Sequence, residues 1–311
     1  MRNTFINTLC ELAEEEERIW LLTGDLGFSV LEQFVDRFPN RYVNVGVAEQ
    51  NMTGVAAGLA MSGKIVFTYS IANFPTFRCL EQIRNDVCYH QLDVKIVAVG
   101  GGLAYGSAGY THHAIEDLAV MRAMPNMKVA APGDPFEARE VTRAIAREQG
   151  PCYLRLGKAG EPNVHQRPPA FSIGRAIPVR EGFDAAVLST GGMLQTAVAA
   201  AEICARRGGS VAVYSVPWIK PLDVELIREL AQRFALLVTV EEARSSGGLG
   251  GAVAELVAET QAPKARLIRI GLEDSDICDV LHHSVFSQES ARAVLRFDSQ
   301  GIADRVLEAL R

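Results

Sequence analysis

Short β-branched runs alternate with stretches of helical period along almost the entire chain, and few folds accommodate that alternation. "IWLLTGDL", "RYVNVGV", "KIVFTYS", "KIVAVGG", "MKVAAPG" and "CYLRLGK" each lead into helix-like sequence or a Gly-rich turn. Runs so apolar at successive positions suit strands buried on both faces, and strands joined through helices run parallel. The expected fold class is α/β: two domains, each a mostly parallel sheet with helices on both faces. The alternation lapses at "GKAGEPNVHQRPPAFSIGRAIPVREG", Gly157 to Gly182, where Pro and Gly accumulate. The expected boundaries are a first domain over 1–160, a linker over 161–182 and a second domain over 183–311. The second series runs "DAAVLST", a helix through "MLQTAVAAAEICARR", "SVAVYSV", a helix from Asp223, "ALLVTV", a helix after "SSGGLGG", and "ARLIRIG".

With 311 residues, 48% of them hydrophobic and 22% charged, the chain is long enough for two compact cores. A net charge of -6 offers no basic field for a phosphate backbone, which excludes nucleic-acid binding. The opening "MRNTFINTLCELAEEEERIW" has the spacing of an amphipathic helix without the apolar core of a signal peptide. No stretch reaches the length of a membrane span, so the expected location is the cytoplasm. The six cysteines are scattered, without C-x-x-C pairs or neighbouring His at ligand spacing. They read as reduced core residues, and no metal site is expected on this chain.

"VNVGVAEQNMTGVAAGLAMSGK", Val43 to Lys64, places one acid, Glu49, where a strand turns into a helix of Ala, Gly, Val and Leu. An acid there is stabilised by the helix dipole whatever its purpose. The helix is polar only in its first turn, at Gln50, Asn51 and Thr53, while Gly54 and Gly58 leave room for a backbone or a flat ligand. A carboxylate in so apolar a place is suited to sharing a proton with a ring nitrogen.

This segment resembles the aminopyrimidine-binding segment of the transketolase family of thiamine diphosphate enzymes. In that family one Glu hydrogen-bonds the pyrimidine ring nitrogen and promotes the tautomer whose own nitrogen deprotonates the thiazolium; Glu49 falls on that acid, with Gln50 beside it as a cofactor contact. The resemblance runs essentially from end to end. "GYTHHAIEDLAVMRAMPNMKVAAPGDPFEA" is similar to the family's G-P-T-H block, which puts His112 near the reacting carbon and gives it a hydrogen-bond or proton-transfer role on the substrate oxygen. His113 supports that loop or joins the substrate site. "FTYSIANFPTFRCLEQIRNDVCYH" matches the region that supplies aromatics against the pyrimidine. Phe74 and Phe77 are its candidates, and two core phenylalanines are the plainer reading. The Arg84, Asn85, Asp86 run falls on a helix at a subunit contact, implying self-association through this chain.

"LLTGDLGFS" resembles a turn whose Ser reaches the substrate phosphate, so Ser29 is an anion ligand or the N-cap of the next helix. Arg155 in "CYLRLGK" holds the place of a phosphate-binding Arg at a strand end. "VPWIKPLD" and "VTVEEARSSGGLGGAVAE" are similar to the transketolase C-terminal domain. Their glycines form no dinucleotide or Walker pattern, and Glu241 reads as structural or interfacial.

The resemblance also shows what is missing. The family holds the diphosphate through a divalent metal bound by a G-D-G motif and a downstream Asn, and no G-D-G occurs here. The implied arrangement is the C-terminal subunit of a split transketolase, sharing thiamine diphosphate with an N-terminal subunit that carries Mg2+ or Ca2+, as an α2β2 assembly. The implied reaction moves a two-carbon ketol unit from a ketose, in phosphate form, to an aldose. Ala108 and Gly100 stand where the family places an Asp and a His for the donor, which alters donor recognition. Two enzymes share this layout as alternatives, the E1 β subunit of a 2-oxoacid dehydrogenase and a 1-deoxyxylulose-5-phosphate synthase-like enzyme; a non-catalytic scaffold or regulatory subunit is the alternative of another class.

Overall fold

The computed structural model describes residues 1–281 and 287–311. The first domain holds β1 (Ile19–Thr23), β2 (Tyr42–Asn44), β3 (Ile65–Ile71), β4 (Val94–Val99), β5 (Lys128–Ala130) and β6 (Cys152–Leu156), all mutually parallel. Successive residues of the central strands face opposite cores. Phe67, Tyr69, Val97 and Val99 pack with Phe5 and Leu9 of helix Arg2–Glu15 and Val141 of helix Pro135–Arg147. Val66, Ile96 and Ala98 pack with Met52 and Ala56 of helix Glu49–Met61 and with Leu118. Burial on both faces is why β3 and β4 read as unbroken apolar runs.

β7 (Ile177–Arg180), β8 (Ala185–Ser189), β9 (Val211–Ser215), β11 (Leu236–Arg244) and β12 (Arg266–Leu272) form the second sheet, in the order β12-β11-β8-β9-β7. The same alternation recurs there, with Ala185 and Val187 in one core and Ala186 and Leu188 in the other. β7 lies inside the span expected as linker. It is an antiparallel edge strand with an irregularity between Pro178 and Arg180, the one sheet position that tolerates Pro. Upstream of it, Asp134 accepts the amides of Val164 and His165 at 3.0 Å each, and His165 Nε2 lies 2.7 Å from Glu137 Oε1. The linker is thereby pinned to the start of helix Pro135–Arg147.

A segment of the second half also crosses back. β10 (Trp218–Lys220) pairs antiparallel with β5, extending the first sheet to the order β10-β5-β6-β4-β3-β1-β2. Trp218 is buried in the first domain's core, 6.1 Å from the Phe171 ring. Cys10, Cys79, Cys88, Cys152 and Cys204 are buried, whereas Cys278 is exposed, so the core reading fails for that one thiol. Among the described residues no helix is long and apolar enough to cross a membrane. Trp218→Ala is expected to lower stability by about 3–5 kcal/mol, read as a fall in the denaturation midpoint; an unmoved midpoint would make β10 a dispensable edge.

Candidate functional site

The strand order of the first sheet reverses between β1 and β3: β2 lies to one side of β1, and every later strand lies on the side of β3. Parallel sheets open a crevice at such a point, at the carboxyl ends of their strands. Helix Glu49–Met61 carries the chain from β2 to β3 across it, and Glu49 is its first residue, 3% exposed. Gly24, just past β1, leaves the acid its space: a Cβ there would stand 3.6 Å from Glu49 Cγ and 3.3 Å from the Gly46 carbonyl.

The acid is not in purely apolar surroundings. Arg78 Nη1 donates to both Glu49 carboxylate oxygens, at 3.1 and 3.0 Å, and its guanidinium lies 4.1 Å from the Phe74 ring centroid. The Arg78 side chain is half exposed, so the cation reaches a buried acid from the open side. Sequence reasoning passed over Arg78, although it is the one cation in the aromatic "NFPTFRC" segment.

Helix Asn73–Phe77 follows β3 and directs Phe74 edge-on to His112, with centroids 5.3 Å apart and planes at 68°. Phe74, Phe77, Arg78, His112 and His113 line one cleft, while Gln50 turns to an adjoining groove that it shares with Phe77 and Arg78. His112 sits on a bonded loop, in which its amide donates to Gly109 O at 2.9 Å and Asn73 Nδ2 donates to Thr111 O at 2.6 Å. Its Nδ1 lies 3.0 Å from Thr111 Oγ1. His113 is buried, with Nε2 2.9 Å from Gly106 O.

Of the two residues expected at the substrate anion, one stands on an exposed turn and the other is buried at the domain boundary. Ser29 is exposed with φ +61° and its amide donates to Glu32 Oε1 at 2.6 Å; Leu31, not Ser29, is the N-cap of helix Glu32–Arg37. Arg155 is buried at the domain boundary, with Nη2 2.7 Å from Ala114 O and 2.8 Å from Glu242 O and Nε 3.2 Å from Asp117 Oδ2. There it borders a cavity of about 210 Å³ between the domains. Lys158, three residues on, is exposed and borders the same cavity, with its ammonium 4.9 Å from the Tyr105 ring. Tyr105 in turn lies 5.9 Å from the His112 ring. It also accounts for Gly100: with φ +75°, a Cβ at that position would come within 2.2 Å of Tyr105 Cε2, so the phenol ring occupies the place of a side chain there. Ala108 is exposed in the turn that precedes the His112 loop.

Glu241 is structural. Its carboxylate accepts Leu249 N at 2.8 Å and Gly250 N at 2.7 Å, which caps helix Leu249–Glu259, and burial pushes its pKa up to about 7. The glycines of this turn therefore serve a helix start already filled by an internal anion.

Both halves of the chain match known family models. The transketolase pyrimidine-binding domain matches residues 1–161 and the transketolase C-terminal domain matches residues 174–285. The chain belongs to the transketolase family. One subunit of an apulose-4-phosphate transketolase from Phocaeicola vulgatus is 35% identical over 312 residues, covering 100% of this chain and 97% of that protein. A 1-deoxy-D-xylulose-5-phosphate synthase of Thermomicrobium roseum is 37% identical over 316 residues; this chain corresponds to 48% of its length. Among solved structures, a split-gene transketolase described as an inactive β4 tetramer superposes with TM-score 0.88 at 36% identity, over 99% of this chain and 97% of that one.

The histidines give opposite pH signatures. Burial pushes His113 below 6.5, and for His165 the bond and charge of Glu137 outweigh burial and raise it. The unfolded chain takes up a proton at His113 near pH 6.5 before the folded one does, so its contribution to stability falls on acidification below that point. The His165 contribution is complete below about pH 6.5 and is lost as pH rises through its higher folded value. NMR titration of the ring C–H signals is expected to place the two midpoints on opposite sides of the ordinary value; matching midpoints would contradict both environments.

Proposed function

We propose that this chain is the C-terminal subunit of a split transketolase, which transfers a two-carbon ketol unit from a ketose phosphate to an aldose once a partner subunit completes the site. The observation that carries this is the buried Glu49 carboxylate at the strand-order reversal, paired with the half-exposed Arg78, which lines a cleft walled by Phe74, Phe77 and His112. An acid held there beside aromatic rings fits the edge of an aminopyrimidine. Thiamine diphosphate, when bound there, would supply the carbon nucleophile for ketol transfer. The diphosphate and its Mg2+ or Ca2+ belong to the partner, since this chain has no G-D-G motif.

The roles of the chain's own groups follow from their positions. Glu49 holds a proton at its carboxylate oxygen toward the ring nitrogen, and burial keeps competing water from it. Arg78 balances the Glu49 charge in the free chain, and its half-exposed side chain is free to withdraw when the acid takes a proton. Phe74 and Phe77 present ring faces and edges to a flat group. His112 sits where it can donate to the donor's carbonyl oxygen and return the proton. Lys158, exposed on the rim of the cavity that Arg155 also borders, supplies a cation for the donor phosphate.

Exposed apolar side chains support a partner over this face. Phe28, Val47, Phe77 and Tyr110 lie on the segments that follow β1, β2, β3 and β4, between 36% and 76% exposed. They ring the carboxyl end of the sheet, where the α2β2 reading places the N-terminal subunit.

In the reconstituted complex Glu49→Gln is expected to reduce turnover at least about 10²-fold with assembly intact by size-exclusion chromatography; unchanged turnover would remove Glu49 from the mechanism. Lys158→Ala is expected to raise KM for a phosphorylated donor about 10-fold, the loss of one charge-assisted contact of ~1.5 kcal/mol or more, and to leave an unphosphorylated donor unaffected. The likeness to 1-deoxy-D-xylulose-5-phosphate synthase sustains a second reading, decided by supplying the complex with pyruvate in place of a ketose donor.

A further inference from the structure

We infer that Arg155 is a positioning residue that makes the second domain part of the active site, holding the His112 loop through the carbonyl of Ala114. The inference rests on the reading of His112 given above. Ala114 O accepts from Gly102 N at 2.8 Å and from Arg155 Nη2 at 2.7 Å. The same Nη2 donates to Glu242 O at 2.8 Å, near the end of β11 in the second domain. A second tie lies beside it, where Arg244 N donates to Ile115 O at 2.7 Å. The two residues that follow His113 are thus bonded to the second domain, one directly and one through a guanidinium.

The strut is fixed at its far ends. The Glu242 carboxylate accepts Gln288 Nε2 at 2.7 Å and Arg292 Nε at 2.6 Å, so the end of β11 is held by helix Gln288–Val294. Arg155 Nε faces Asp117 Oδ2 at 3.2 Å, and Asp117 begins helix Asp117–Ala123, directly after the His112 loop. Tyr153 OH donates to that same oxygen at 2.7 Å, which restrains the acid. Local sequence gives the side chain its path. A Cβ on Gly101 would fall 2.0 Å from Arg155 Nε, and one on Gly102, at φ +69°, would fall 2.4 Å from Glu242 Oε2. Consecutive glycines leave the passage through which the cation and the second domain reach the loop.

A guanidinium suits this task because its donors lie in one plane with fixed directions, whereas an ammonium on a flexible stem holds two carbonyls less well. A loop displaced by about 1 Å costs on the order of 10²-fold in rate when it carries a reacting group.

The test uses Arg155→Lys and Arg155→Met in the full chain, assayed with the partner subunit on a phosphorylated ketose and on its unphosphorylated counterpart. Amide hydrogen exchange is measured in parallel on the chain alone. The expected result is that kcat falls 10-fold or more, by the same factor on both donors, that the ratio of their KM values stays put, and that Lys recovers part of the loss. Exchange at residues 110–115 rises in the free chain. A loss confined to KM for the phosphorylated donor, with exchange unaltered, would make Arg155 an anion ligand and overturn the proposal. If the Met variant does not fold, the Lys variant, which keeps a positive charge beside Asp117, decides the question alone. Absence of ketol transfer by the wild-type complex would defeat the functional reading, while faster exchange in the variants would still establish the strut.

Discussion

The reversal of strand order between β1 and β3 is the constraint on which the site depends. Helices that cover a parallel sheet on both faces leave a gap where the winding changes direction, and that gap lies at the carboxyl ends of the strands. The groups of the site arrive from those ends. Gly24 follows β1, Glu49 opens the helix after β2, Phe74 and Arg78 follow β3, Tyr105 and His112 follow β4, and Lys158 follows β6. Strands packed on both faces fix these exits relative to one another, so loops that share no secondary structure hold a common geometry.

Within that frame, Glu49 and Arg78 show how a buried charge is tolerated. A carboxylate withdrawn from water is costly unless it is paired, and a bond to each oxygen from one guanidinium satisfies it without a second buried cation. Because Arg78 remains half exposed, the pair is separable, unlike the Asp117–Arg155 contact, in which both partners are buried. The first pair lies at the molecular surface, and the second inside the boundary between the domains.

The two domains are not independent units. β10 completes the first sheet from the second half of the chain, and Arg155 ties a loop of the first domain to a strand of the second. Exposed ion pairs such as Arg175–Glu225 add little to this. What joins the domains is a buried Trp, a strand pairing and buried hydrogen bonds to backbone carbonyls, and these carry a larger penalty when broken.

The amino-acid sequence by itself determined the fold class, since apolar runs alternating with helical stretches have few packing solutions, and it singled out Glu49, one acid at the start of an apolar helix. It also exposed the missing G-D-G motif, a matter of composition that needs no coordinates. Tertiary structure alone decided which cations are free. Arg155 and Lys158 stand three residues apart on one strand exit, yet one is buried against the second domain and the other stacks on Tyr105. Local sequence could not separate them, because burial depends on segments more than eighty residues away. Likewise, Gly100 reads as a lost side chain until the Tyr105 ring is seen in its place, and β10 reads as second-domain sequence until it pairs with β5. Periodicity reports what each segment prefers to bury; only the packed chain settles which distant segment buries it.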